Sequence, residues 1–215
     1  MKFQGAREKI LEPLQAVIGV VERKQTMPIL ANVLLKVSSG RLSVLATDLE
    51  VELAATVEID VQEDGEITVP GRKLVDIIKA LPDSASVSIH QSGDKIQVKA
   101  GRSKFSLTTL PAADFPTVEQ ISPTLSFEAP ANQIKHLIDK TYFSMAHQDV
   151  RYYLNGLLFE ADGKMLRTVA TDGHRLALCE MELVTKAGLQ QVIVPRKGIL
   201  ELQRLLGNDG SISVD

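Results

Sequence analysis

Apolar and polar positions change period along this chain, and each change marks an element. Residues 7–18 place Ile10, Leu14, Val17 and Ile18 at helical spacing, which predicts a helix after a short strand opened by Phe3. Pro13 is an unfavourable helix-interior residue and leaves the start of that helix open. Alternation then predicts strands over 31–37 and 42–46, joined by Ser38-Ser39-Gly40, and a third over 51–59 ending in the turn Glu63-Asp64-Gly65. Residues 67–70 lead into a second helix over 72–81. Its apolar stripe is Leu74, Ile77, Ile78 and Leu81, with Arg72, Lys73, Asp76 and Lys79 on the other face. Strands over 87–90, 95–100 and 104–110 follow, with hairpin turns at Ser92-Gly93-Asp94 and Gly101-Arg102-Ser103. The stretch 110–123 is bounded by prolines and has no period, which places the end of a domain there.

The same order then starts again. Phe127 stands to Ile134 and Ile138 as Phe3 stands to Ile10 and Leu14, and Ala170-Thr171-Asp172 repeats Ala46-Thr47-Asp48. Val194-Pro195 with Arg196-Lys197 repeats Val69-Pro70 with Arg72-Lys73, and Ile199, Leu202 and Leu206 repeat the stripe of Leu74, Ile77 and Leu81. The two copies lie about 124 residues apart throughout, too constant an offset for chance. Each copy is an α+β unit of antiparallel sheet with two helices. The expected domains are 1–124 and 125–215. The second stops at Ser211-Ile212-Ser213-Val214-Asp215, level with the strand over 87–90, so the last two strands have no counterpart and part of a longer protein is expected.

Composition narrows the function classes. The chain has 215 residues, 44% hydrophobic and 24% charged, an ordinary globular balance. No apolar run reaches the roughly 20 residues of a membrane helix, and the first residues carry no apolar signal region. The lone Cys179 rules out an internal disulfide, suits a reducing cytoplasm, and reads as a small hydrophobe in a strand. A net charge of −3 argues against a chain that coats nucleic acid with a wholly basic surface, but leaves room for a local basic face.

Two kinds of chemistry compete. Asp172, His174, His147 and Asp149 could form a base with its orienter or part of a metal site, the pattern of a metal-dependent hydrolase. No ligand spacing or nucleophile elbow accompanies them, and the first copy keeps Asp48 without a histidine nearby, so the shared aspartate reads more simply as a turn brace. Pro70-Gly71-Arg72-Lys73 lacks phosphate-loop spacing. A binding reading rests on Arg151-Tyr152-Tyr153-Leu154 just before a strand, where alternation buries one ring and exposes the other. An exposed tyrosine beside Gln148 and Arg151 suits nucleic acid. The polar faces of the second helices, with Arg72, Lys73 and Lys79 or Arg196, Lys197 and Arg204, are ordinary solvated faces unless both meet one partner. A tandem interaction module without a DNA role is a further alternative.

Longer motifs add a resemblance. Residues 143–156 (FSMAHQDVRYYLNG), 168–176 (TVATDGHRL), 192–198 (VIVPRKG) and 105–116 (FSLTTLPAADFP), with Met27-Pro28-Ile29-Leu30-Ala31-Asn32, closely resemble the bacterial sliding clamps, the beta subunits of replicative DNA polymerase III. The resemblance covers the whole chain. It implies a protomer of three such units, here the first and most of the second with the third absent, and two protomers closed head to tail around duplex DNA. It implies a non-catalytic accessory subunit without metal or cofactor, in the cytoplasm. DNA contacts carried over are Lys24 (arginine in the best-known members), Gln148, Tyr152 and Tyr153, with Arg72, Lys79, Arg196 and Lys197 as backbone contacts. A cleft for short Gln/Leu/Phe-type peptides of the polymerase and clamp loader would use Leu154, Thr171, Gly173, His174, Arg175 and Leu176, its other half coming from the third domain. The homodimer ring interface would use Lys73, Arg102, Lys104, Phe105 and Leu107.

Overall fold

The structure, a computed structural model, describes residues 1–21, 27–117, 123 and 125–215. The chain forms two compact units, Met1–Glu119 and Gln120–Asp215.

The first unit runs β1 Lys2–Ala6, α1 Arg7–Val17, a 3-10 turn Pro28–Ala31, β2 Asn32–Ser38, β3 Arg41–Thr47, β4 Glu52–Glu58, β5 Asp60–Glu63, β6 Gly65–Pro70, α2 Gly71–Ala80, β7 Ser86–Ser92, β8 Lys95–Ala100 and β9 Ser103–Thr108. Two antiparallel sheets result, ordered β5-β1-β7-β8-β9 and β4-β3-β2-β6. Their inward positions and the apolar stripes of the helices share one core, in which Phe3, Ile10, Leu14, Leu35, Leu42, Leu74, Ile78, Ile89 and Ile96 are buried. The hairpin at Ser39-Gly40 has positive φ at both residues, 51° and 76°, the twist that suits a two-residue loop between antiparallel strands.

Strand β5 was not expected. Four polar-rich residues without alternation give no period to read, and β5 exists by pairing with β1. The aperiodic stretch after β9 is also more than an exit. Leu110 and Thr68 exchange backbone hydrogen bonds of 3.2 and 3.3 Å, and Phe115 packs with Ile29, Leu30 and Leu34. That small cluster covers the second face of β2, which explains why Asn32-Val33-Leu34-Leu35 is buried without alternation. Arg7 holds the end of α2: Nε donates to the Ile78 carbonyl and Nη2 to that of Lys79, both at 3.0 Å, while Nη1 meets Asp83 at 2.7 Å.

The second unit runs β10 Phe127–Pro130, α3 Ala131–Thr141, 3-10 turns Tyr142–Ser144 and Tyr152–Asn155, β11 Gly156–Thr171, β12 Leu176–Pro195, α4 Arg196–Leu205 and β13 Ser211–Val214. β10 pairs with β13 and β11 with β12, all antiparallel. The β11–β12 ladder has two runs, Gly156 to Ala161 against Pro195 to Gln190 and Met165 to Thr171 against Glu182 to Leu176, with register shifts on both sides of Gly163. The core gathers Phe127, Ile134, Leu137, Ile138, Leu157, Leu166 and Ile199, with Cys179 partly buried at its margin. Two stripe assignments need correction. On α2 Ile77 is only half-buried and Val75 takes the buried place; on α4 Ile199 and Leu206 are buried but Leu202 is 36% exposed. A stripe read from spacing fixes one face of a helix, while the sheet beneath it decides how wide a face is covered.

A polar ladder runs across the sheet of each unit. In the first, Lys36 pairs with Glu66 at 3.3 Å and Ser43 with Thr56 at 2.8 Å. At the matching positions of the second, Arg167 meets Glu160 at 2.9 Å and Glu180 at 3.0 Å, and Gln191 donates to Glu160.

Candidate peptide and DNA interface

The site grows from a turn that both units build alike. In the first, Asp48 Oδ1 accepts from the amides of Glu50 and Val51 at 3.0 and 2.8 Å, and Thr47 Oγ1 accepts from the Leu49 amide at 3.1 Å. In the second, Asp172 Oδ1 accepts from the amides of His174 and Arg175, both at 3.0 Å, and Thr171 Oγ1 from the Gly173 amide at 3.1 Å. The residue between is left-handed in both: Leu49 at φ 79°, Gly173 at φ 88°. Leucine bears strain there that glycine avoids, and glycine also leaves space. A Cβ on Gly173 would lie 3.3 Å from Arg151 Nη2.

Arg151 belongs to the loop joining the two 3-10 turns. Asn155 closes that loop, accepting from the Asp149 amide and donating to the Asp149 carbonyl, both at 2.9 Å, while Ala146 N donates to Leu154 O. Asp149 grips the guanidinium in a fork, Nε to Oδ1 at 3.0 Å and Nη2 to Oδ2 at 2.9 Å. The Arg151 side chain and then its amide hold the Asp149 carboxyl down at about 2. The amides of His174 and Arg175, followed by the Arg175 side chain, hold Asp172 below the usual carboxylate range. Arg175 reaches further: Nε bonds Asp172 Oδ2 at 3.0 Å, Nη2 bonds the Phe143 carbonyl at 2.7 Å, and Cζ lies 5.7 Å from the centre of the Phe143 ring.

Both carboxylates of the hydrolase reading are thus braces held as anions by neighbours, poorly suited to act as a base near neutrality. Among the described residues no three metal-ligating side chains gather. The turn and loop present apolar and aromatic groups outward, Leu176 65% exposed with Phe143, Val150 and Tyr153 also open to solvent, beside the exposed His174 and Arg175. Leu154 lies buried beneath them. Thr171, Gly173, His174, Arg175 and Leu176 sit on one turn, and the geometry adds Arg151 and Phe143, which sequence reasoning left out of the group. The signal for Arg151 was the glycine opposite it, a contact between residues more than twenty positions apart in sequence that no local pattern reveals.

The tyrosines correct an expectation. Tyr152 and Tyr153 are both exposed, their rings edge to face at 5.9 Å. They lie in a 3-10 turn rather than a strand, so alternation does not apply. Gln148 is exposed beside them at φ 58°. On α2, Arg72, Lys73 and Lys79 are exposed, with Arg72 Nη2 bonded to the Val21 carbonyl. On α4, Arg196 and Lys197 are half-buried, and Arg204 pairs with Glu201. Lys24 lies outside the described residues. Lys104, Phe105 and Leu107 are on β9, which ends its sheet, and Arg102 is in the turn before it.

Comparison with known proteins places both units. Residues 1–119 match the DNA polymerase III beta subunit, N-terminal domain, and residues 128–215 its central domain. A beta sliding clamp of Pseudomonas aeruginosa is 55% identical over the whole chain, and one of Escherichia coli K12 is 50% identical. The chain spans 59% of the length of each. Among solved structures, a Pseudomonas aeruginosa sliding clamp with griselimycin bound superposes at a TM-score of 0.95 over 99% of this chain and 58% of that one, at 55% identity. The Caulobacter crescentus pol III beta superposes at 0.93 with 41% identity, over 100% of this chain and 61% of that one. Two matched domains in the order that the repeat predicted leave one conclusion: the chain belongs to the DNA polymerase III beta subunit family.

Proposed function

We propose that this chain works in a ring-shaped processivity clamp that encircles duplex DNA and tethers the replicative polymerase, without catalysing a reaction and without metal or cofactor. The observation that carries the reading is the second turn. It repeats the first in every brace, yet replaces Leu49 by Gly173, admits Arg151 and sets Leu176 outward beside the aromatic loop. That surface suits a short peptide with apolar anchors, and the Gln/Leu/Phe-type segments of the polymerase and clamp loader are the proposed occupants. Leu154, Thr171, Gly173, His174, Arg175 and Leu176 form this chain's share of the docking cleft, with Arg151 and Phe143 beside them.

DNA contact falls to Gln148, Tyr152 and Tyr153 on the loop, to Arg72 and Lys79 on α2, and to Arg196 and Lys197 on α4, with Lys24 assigned by resemblance alone. Such contacts are few and screened, so the ring and not electrostatic grip holds the clamp in place. The terminal strand β9 supports a homodimer contact, since among the described residues Ser103–Thr108 ends its sheet with Phe105 and Leu107 only partly buried; Lys73, Arg102 and Lys104 join it by resemblance. The domains assigned are 1–124 and 125–215, in a cytoplasmic protein.

A Gln-x-x-Leu-Phe peptide titrated into full-length protein should shift the resonances of Gly173, His174 and Leu176. Binding with those residues unmoved would overturn the cleft assignment.

A further inference from the structure

We propose that the outward face of the β5-β1-β7-β8-β9 sheet docks an extended acidic peptide segment across Lys2, His90 and Lys99. Phe3, Val87, Ile89, Ile96 and Val98 fill the inward positions of these strands and are fully buried. The alternate positions, with Lys2, Ser88, His90, Gln97, Lys99 and Lys104 among them, face out. Register brings basic side chains together: Lys2 stands opposite His90 across β1 and β7, and Lys99 opposite Lys104 across β8 and β9. Directly opposed like charges destabilise a sheet. None of the three lysines has a carboxylate within ion-pair distance among the described residues. Two acids share that face: Glu63 stands opposite Lys2 but bonds the amino group of Met1 at 3.2 Å, and Asp60 stands opposite Gln4 and bonds it at 2.7 Å. A chain with net charge −3 thus gathers Lys2, Lys99 and Lys104 on one face without ion-pair partners among the described residues, which favours an anionic partner.

The choice between anionic partners turns on the rest of that face. The sheet's aromatic rings, Phe3 and Phe105, point to the core, so no platform for stacking bases is offered. Ser88 and Gln97 supply small hydrogen-bonding groups between the cations. Strands about 4.8 Å apart put Lys2, His90 and Lys99 within roughly 12 Å. An extended segment with a carboxylate at every second residue spaces its charges by about 7 Å, which suits that row. The imidazole reports on the site. Burial pushes His90 down first, and Lys99, Lys2 and Lys104 push it further. The groups facing it are Lys2 on β1, Gln97 and Lys99 on β8 and Lys104 on β9, with Glu63 on β5 already paired. An anion laid across them reverses the charge effect and raises the imidazole.

Lys104 also belongs to the proposed ring contact, so the test uses the other two lysines. A ten-residue peptide of alternating Glu and Ser is titrated into the protein while the His90 imidazole is followed by NMR. Binding is expected to raise the His90 pKa and to weaken with salt. The pair Lys2→Gln with Lys99→Gln should lower affinity about tenfold, while Lys140→Gln with Lys164→Gln, which removes the same charge elsewhere, should leave it unchanged. Both pairs alter exposed side chains, and an unchanged Tm verifies their fold. An unmoved His90, or equal loss in both pairs, would overturn the proposal. So would a mixed-sequence oligonucleotide of equal charge that binds this face as tightly as the peptide.

Discussion

The turns at Asp48 and Asp172 share their braces and differ in what they carry. In each, a threonine and an aspartate satisfy three backbone amides, and the residue between is left-handed. The first spends the left-handed position on Leu49, which is 57% exposed. The second leaves that position bare, and a guanidinium from another loop occupies the space. Architecture set by Thr and Asp is thus separable from recognition set by Gly, His, Arg and Leu.

The sharpest way to break the comparison is Gly173→Val. A β-branched side chain at φ 88° with Arg151 Nη2 at 3.3 Å adds strain and contact at once, about 2–3 kcal/mol against the second unit. Denaturant melts should show that loss, and peptide binding should vanish with it. Asp172→Ala and Asp48→Ala come next. Each removes the one oxygen that accepts from two backbone amides and should cost about 1–2 kcal/mol. Only the Asp172 variant should also lose peptide binding, measured by calorimetry; equal loss in both would mean that the turns do not differ in function.

Acid gives a graded version. The folded carboxyls of Asp149 and Asp172 titrate below their unfolded value, so the order they confer is complete above about pH 4 and fades as pH falls through the folded values, near 2 for Asp149. The Arg151 side-chain resonances should therefore hold from neutrality to about pH 4 and drift below it, and Asp149→Asn should abolish that drift. The smallest effect is Leu49→Gly. Relief of a left-handed leucine and the added freedom of the unfolded chain nearly cancel, leaving stability within about 0.5 kcal/mol of the parent.

These elements also mark how far the sequence could be read. Alternation and helical spacing located β3, α2 and the duplication because those elements bury one face, while β2 showed as a continuous apolar run because both its faces are covered. Strand β5 was missed because four residues that pair only at long range carry no period. Leu202 was placed inside because spacing cannot tell how wide a helix face the sheet will cover. The tyrosine pair does stand just before a strand, but in a 3-10 turn, where alternation does not hold and both rings are exposed. Asp172 was rightly a brace, since its second copy at Asp48 exposed the common role. Arg151 against Gly173 and Arg175 against Phe143 lay beyond any local pattern, because each joins separate loops through space.

The polar ladders bear on how a duplicated chain reaches its native pairing. Two units of one design on one polypeptide invite strands to exchange partners during folding. Here exchange is penalised by charge: β11 laid against β6 would set Glu160 opposite Glu66, and β2 laid against β12 would leave Lys36 facing Gln191 with its counter-ion lost. The ladder's charges differ between copies, so a swapped strand meets a like charge or loses its partner, a small bias toward each strand's own sheet.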